Sequence, residues 1–183
     1  MGISVVLLRV PLEPAVDMLS QRTSFNDFAE YLETELMPYD PEEERRDAPD
    51  PESLGLDLMK AYRLTLDVLT ETAHEHHSSL FLTEEFADPL AWAAFGARLP
   101  KWEEDPLLRY SLGSDLDAIC DALGTIDETE IERRIRRLLK VAPGYGRGIG
   151  PWAQSRVRKV LPAMPEFYRR ARSAGEVVIH RMY

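Results

Sequence analysis

The sequence predicts an α+β fold, mostly helical, with a small sheet that includes the N-terminal and C-terminal strands. Three observations predict it. The chain opens on strand formers, Ile3-Ser-Val-Val-Leu-Leu-Arg-Val10, and closes on another such run, Gly175-Glu-Val-Val-Ile-His-Arg-Met-Tyr183. Between them the apolar residues recur mainly at steps of three and four, the period of a helix with one buried face. Prolines, glycines and capping residues cut this middle region into segments of helical length. At 183 residues the chain suits one domain with a real core, predicted to span 1–183.

Val5 to Leu8 form a continuous apolar run rather than a clean alternation, which predicts a strand covered on both faces. Pro11 ends it, and Pro14 suits the first turn of a short helix carrying Val16, Met18 and Leu19. Ser24 is a good N-cap, with Asp27 three residues on. Phe25, Phe28, Ala29, Leu32 and Leu36 then keep helical spacing up to Pro38. Residues 38–53 combine four prolines with seven carboxylates and cannot bury a core face, so an acidic, proline-rich, mobile surface loop is expected.

A stronger helix is predicted from about Leu56 to His76, with Met59, Tyr62, Leu66, Leu69 and Ala73 on one face. It ends in a histidine cluster. Glu71, His74 and His77 lie at successive turns and could grip a divalent metal from one face. The spacing is not the His-Glu-x-x-His of metalloproteases, and imidazoles at a helix C-terminus also favour the helix dipole without any metal. Phe81–Thr83 suits a short strand. Asp88-Pro89 is a cap and first-turn pair for a helix through Trp92, Phe95 and Gly96, and residues 100–106 suit a loop.

Arg109-Tyr-Ser-Leu-Gly113 reads as an extended entry. Ser114 then caps a helix carrying Leu116, Ile119, Cys120 and Leu123 and ending at Gly124. Asp127 caps the next helix, with Glu130 placed to reach back as in a capping box. Its inner face is Ile131, Ile135, Leu138 and Leu139, while four arginines and Lys140 crowd the rest. Glycine alternates at 144, 146, 148 and 150 between Pro143 and Pro151. Such a loop can wrap an anion at a helix start, with Arg147 supplying charge. It lacks both the Walker spacing and a G-x-G-x-x-G in a βαβ unit, so a flexible connector is the plainer reading. The last helix starts near Trp152, with Pro162 and Pro165 predicting a kink or break near Leu161 and Gly175 placed to terminate it.

Several of these segments resemble the YfbM-like family, bacterial domains of unknown function. They are the opening Met1-Gly2-Ile3 with Arg9-Val10, the helix around Ala61-Tyr62-Leu66-Leu69, and Arg109-Tyr-Ser-Leu with the helix at Ser114–Leu123. The helix opening at Asp127, the run Phe167-Tyr-Arg-Arg-Ala171 and the closing Gly175-Glu-Val-Val-Ile complete the set. The helix at 24–37 and the acidic loop after it depart from that pattern. The resemblance implies an α+β cytoplasmic bacterial protein and carries no reaction with it.

Composition narrows function further. Hydrophobic content of 44% and charged content of 30% are ordinary for a soluble chain. No run approaches the roughly 20 apolar residues of a membrane span, and no secretory signal is recognisable. The lone Cys120 sits on an apolar helical face, as a packing residue in a reducing compartment would. Residues 1–130 carry 9 Lys/Arg against 29 Asp/Glu, while 131–183 carry 13 against 3. The plain reading of this asymmetry is basic C-terminal helices packed against acidic partners in the same chain. A net charge of −10 argues against duplex nucleic acid. No nucleophile with an activating base is evident, no cofactor is implied, and His180 on the last strand reads as a half-buried, hydrogen-bonded residue. The sequence therefore favours a non-catalytic binding or protein-interaction module, with a basic protein as the partner its acidic body would attract. The alternative is a small enzyme or anion-binding protein built on loop 144–150, for which the candidate contacts are Arg109, Tyr110, Tyr145, Arg147 and Trp152.

Overall fold

The computed structural model describes residues 5–20, 27, 30–31, 54–59, 61–72, 86–99, 108–141 and 151–182. Its elements in chain order are β1 (Val5–Val10), α1 (Leu12–Leu19), β2 (Gly55–Met59), α2 (Tyr62–Thr70), α3 (Pro89–Phe95), β3 (Leu108–Ser111), α4 (Ser114–Leu123), α5 (Glu128–Val141), α6 (Pro151–Ala174) and β4 (Val177–Met182). The four strands form one antiparallel sheet in the order β2-β1-β4-β3. The two terminal strands are thus its centre, paired from Val5↔Met182 to Val10↔Val177.

Both faces of this sheet are covered, as the unbroken apolar run of β1 requires. Val5 and Leu7 point into the main core with Leu56, Leu58, Val178 and Met182, where α2 to α6 pack. Val6, Leu8 and Val10 point the other way, with Val177, Ile179 and Leu108, and Ala15 of α1 closes that side. Residues 27, 30 and 31 are helical, and Tyr31 packs on this second cluster. The rest of the helix expected at 24–37, the acidic loop 38–53, the strand at 81–83, the loop at 100–106 and the Gly-rich segment 144–150 lie outside the described residues.

The helix expected from Leu56 is instead a strand followed by a shorter helix. Gly55-Leu-Asp-Leu-Met59 alternates, which places Leu56 and Leu58 together in the core. Its backbone completes β1, with Leu7↔Leu56 and Val6↔Asp57 in register. The period-two pattern spans only a few residues, and a long helical reading absorbs it easily. On the outer edge of β2, Arg156 donates from Nε and Nη2 to the Asp57 carbonyl at 3.2 and 2.7 Å. A helix side chain thus caps this edge of the described sheet.

Three other local expectations change. Ser114 is the first residue of α4 rather than its cap, which is Gly113 at φ 49°. The carboxylate that serves this end is Asp115, which accepts from the Leu112 N–H at 3.2 Å. Asp127 does cap α5, accepting from Glu130 N at 2.8 Å, but the Glu130 side chain turns to Arg133 and Arg134 instead of reaching back. α6 runs unbroken through Pro162 and Pro165. Its buried stripe from Val157 through Leu161, Met164 and Phe167 to Ala171 spans both prolines. Burial along the whole length outweighs the lost backbone bonds. Gly175, at φ 67°, ends the helix as expected, with Glu176 N bonded to Ala171 O at 2.9 Å.

Candidate functional site

Polar groups that could do chemistry gather where β3 and β4 meet α3 and α6. Arg109 and His180 are directly opposite one another in the β3–β4 ladder, and both point into the main core, 1% and 0% exposed. The Arg109 guanidinium stands 5.7 Å from the centre of the Phe86 ring. Tyr168, from α6, is also fully buried. Its hydroxyl donates to the Ala93 carbonyl at 2.8 Å and lies 3.3 Å from His180 Nε2. Gly96 closes the group from above at φ +84°. A Cβ there would stand 2.8 Å from Arg109 Cβ and 2.9 Å from His180 Cδ2. Burial drives the His180 imidazole down to about 3, the Arg109 charge acts in the same direction, and the Ala94 backbone opposes them. Burial likewise raises the Tyr168 hydroxyl well above its ordinary range.

The half-buried histidine expected on β4 is therefore a fully buried neutral one. Its alternation with Val178 and Met182 on the core side is as expected. Sequence reasoning missed Gly96, Tyr168 and the Arg98–Asp115 pair (2.6 and 3.0 Å) beside this group. Gly96 was legible only as a helix end, and Tyr168 only as one more apolar position of α6. In chemical terms the cluster is a polar clasp inside the core. A buried neutral imidazole against a hydroxyl already committed to a carbonyl joins α3, α6 and β4.

Most arginines of α5 and α6 are engaged inside the molecule. Arg133 and Arg137 meet Glu71 at 2.6 and 3.2 Å, Arg158 pairs with Glu132, and Arg172 stands 3.7 Å from Asp117. Arg134, mostly buried, pairs with Glu130 at 2.7 Å and donates to the Leu69 carbonyl at the C-terminal end of α2. This is the packing of basic helices against acidic partners that the charge asymmetry predicts. Burial pushes the Glu71 carboxyl up, but the Arg133 hydrogen bond and the charges of Arg133, Arg134 and Arg137 outweigh it and hold it low. Two hydrogen bonds, from Arg133 and Arg134, bring Glu130 down to about 2. A shallow groove of about 520 Å³ beside α5 is lined by Glu128, Thr129, Glu132, Arg133 and Arg136, a mixed set without net preference for an anion.

The candidate contacts of the sequence are thus separated in character. Arg109 is sealed in the core, and its ladder neighbour Tyr110 is half-buried on the opposite face with the smaller cluster. Trp152, in the first turn of α6, is 50% exposed. Tyr145 and Arg147 lie outside the described residues, as do His74 and His77 of the proposed metal set. Glu71, the remaining member of that set, is the C-cap of α2 at φ 55° and is held by arginines. Among the described residues no group of His, Cys, Asp and Glu is arranged to hold a metal ion. Nor is any helix among them long and apolar enough to cross a membrane.

The fold is that of a solved bacterial protein. The structure is similar to YfbM from Escherichia coli, itself a protein of unknown function. The TM-score is 0.61 with 18% sequence identity, over 98% of this chain and 99% of that one. The YfbM-like resemblance read from the sequence is met at the level of the fold. No family model matches the sequence, and no curated protein is similar to it.

Proposed function

We propose that the chain is a non-catalytic protein-interaction module whose acidic excess recruits a basic protein partner. One observation carries this reading. The described residues are almost charge-neutral, with 16 Lys/Arg against 17 Asp/Glu, and their arginines are largely spent on carboxylates of the same chain. The net charge of −10 therefore comes almost wholly from the remaining residues. Residues 38–53 are its main source, with seven carboxylates against Arg45 and Arg46. A like-charged segment of this kind raises the encounter rate with a cationic surface and selects against anionic ones. The burial of Arg109, Tyr168 and His180 supports the non-catalytic half of the reading, because a substrate reaches none of them without opening the core.

The test uses a fluorescein-labelled peptide rich in lysine and arginine, and a neutral peptide of equal length. Anisotropy titrations should show binding of the basic peptide that weakens at least about tenfold between roughly 0.03 and 0.3 M salt. Replacing Glu42, Glu43 and Glu44 together by Gln should weaken it further at low salt. Equal affinity for the two peptides, or binding indifferent to salt and to the triple substitution, would overturn the proposal.

A further inference from the structure

We propose that residues 96–98 form an acid-releasable strap over His180. The backbone of Gly96 rests directly on the imidazole, since a Cβ there would lie 2.9 Å from Cδ2. The strap is tied down by hydrogen bonds. Gly96 N donates to Trp92 O at 2.7 Å and Ala97 N to Ser111 Oγ at 3.0 Å. Arg98 and Tyr110 exchange both backbone bonds, at 2.9 and 3.0 Å. The Arg98 side chain, 46% exposed, then clamps Asp115 at its outer end. Such ties open locally at lower cost than the apolar contacts of α6 beneath them.

Under the strap a second proton finds no side-chain acceptor, and burial outweighs what the Ala94 backbone offers. The single Tyr168 O–H is given to Ala93 O, so its contact with His180 uses the ring N–H at Nε2. Nδ1 keeps its lone pair and has no hydrogen-bond partner. Among the described residues the groups facing the ring are Arg109 from β3 and Tyr168 from α6. β1 contributes Leu7, and α3 with its cap contributes only backbone at Ala94 and Gly96. An imidazolium would sit beside Arg109 away from water, so the proton binds once the strap lifts.

The direction with pH follows. The closed-state value is about 3 against about 6.5 for a solvated histidine, so the open state holds more protons between those limits. The strap is fully stable above pH about 6.5 and loosens as pH falls toward 3. Between pH 7.5 and 5 the open population should rise about thirtyfold.

Amide hydrogen exchange, corrected for the intrinsic effect of pH, measures this. Protection at Arg98 and Tyr110 should fall about thirtyfold from pH 7.5 to 5 and stay well below that of the α6 amides around Val160 at both pH values, since those amides wait for global opening. In His180→Gln the fall should vanish. Arg98→Ala should lower protection at both pH values and preserve their ratio. An unchanged protection in the wild type, protection at Arg98 and Tyr110 as high as that of α6, a fall that survives in His180→Gln, or an Arg98→Ala variant as protected as the parent would each overturn the strap. The Arg98 variant alters an exposed side chain, so it remains informative should the core substitution fail to fold.

Discussion

Gly96 shows how one residue without a side chain can fix the packing of several with large ones. Its φ of 84° and ψ of 146° lie in a region that residues with a Cβ almost never occupy. Its neighbours leave no room either, with Arg109 Cβ, His180 Cδ2 and Tyr110 N all within 3.0 Å of where a Cβ would be. Gly175 makes the useful contrast, because it too has positive φ (67°) but open space around it. Ala at 175 therefore meets backbone strain alone, about 1 kcal/mol. Ala at 96 meets comparable or greater strain plus displacement of a strand backbone and a buried ring, about 3 kcal/mol or more. Urea denaturation of the two variants should separate them by at least about 2 kcal/mol, with Gly96→Ala the weaker. A Gly96→Ala protein as stable as Gly175→Ala would contradict the close contact on which the strap depends.

Among the elements, α5 owes its position to a minority of its many charges. Arg134 is 12% exposed at its side chain and satisfies the Leu69 carbonyl at the open end of α2, where helices otherwise leave carbonyls without donors. Arg137 is 57% exposed and touches Glu71 at 3.2 Å in solvent. Replacing Arg134 by Met keeps the stem and removes the donor, and should cost about 1.5–2 kcal/mol. Arg137→Ala should stay within about 0.5 kcal/mol of the parent. Thermal denaturation of both variants tests that ranking, and equal midpoints would show that the carbonyl cap contributes nothing. This scale also shows what the sequence makes legible. The period of Ile131, Ile135 and Leu138, the Asp88 and Asp127 caps and the Gly175 stop are local physics and stand in the structure as read. β2 reads as helix in the sequence because the strand's stability lies in hydrogen bonds to β1, far away in sequence, and its own pattern is too short to announce them. That α6 is not broken near Leu161 has the same reason: two prolines are local penalties, and the burial that outweighs them is tertiary. The clasp around His180 was legible only in part. Alternation told which way His180 points, but Gly96, Tyr168 and Asp115 enter from three separate segments that nothing in the linear pattern connects.

Over the whole molecule, the order β2-β1-β4-β3 makes the final strand the keystone of the sheet. β4 is bonded to β1 on one side and to β3 on the other, and β3 has no other named strand beside it. It also contributes to both apolar layers, Val178 and Met182 to the main core and Val177 and Ile179 to the second. Each such side chain is worth roughly 1.5–3 kcal/mol when buried. Losing four of them, together with the ladders on both sides, removes as much as the roughly 5–15 kcal/mol that keeps a typical domain folded. The consequence is that the helices of this chain cannot hold the fold without β4, although they make up most of it. A chain ending after Gly175 should lose the cooperative thermal transition and the dispersed amide NMR spectrum of the parent, while keeping part of its helical circular dichroism. A truncated chain that still melts cooperatively with dispersed resonances would mean that the helical layer is stable alone and the sheet an addition to it. The fragment from Gly175 to Tyr183, added in trans, offers the reciprocal measurement. Where the missing strand is the whole defect, the peptide should restore chemical-shift dispersion in proportion to its concentration, because binding that selects the folded state stabilises it by mass action.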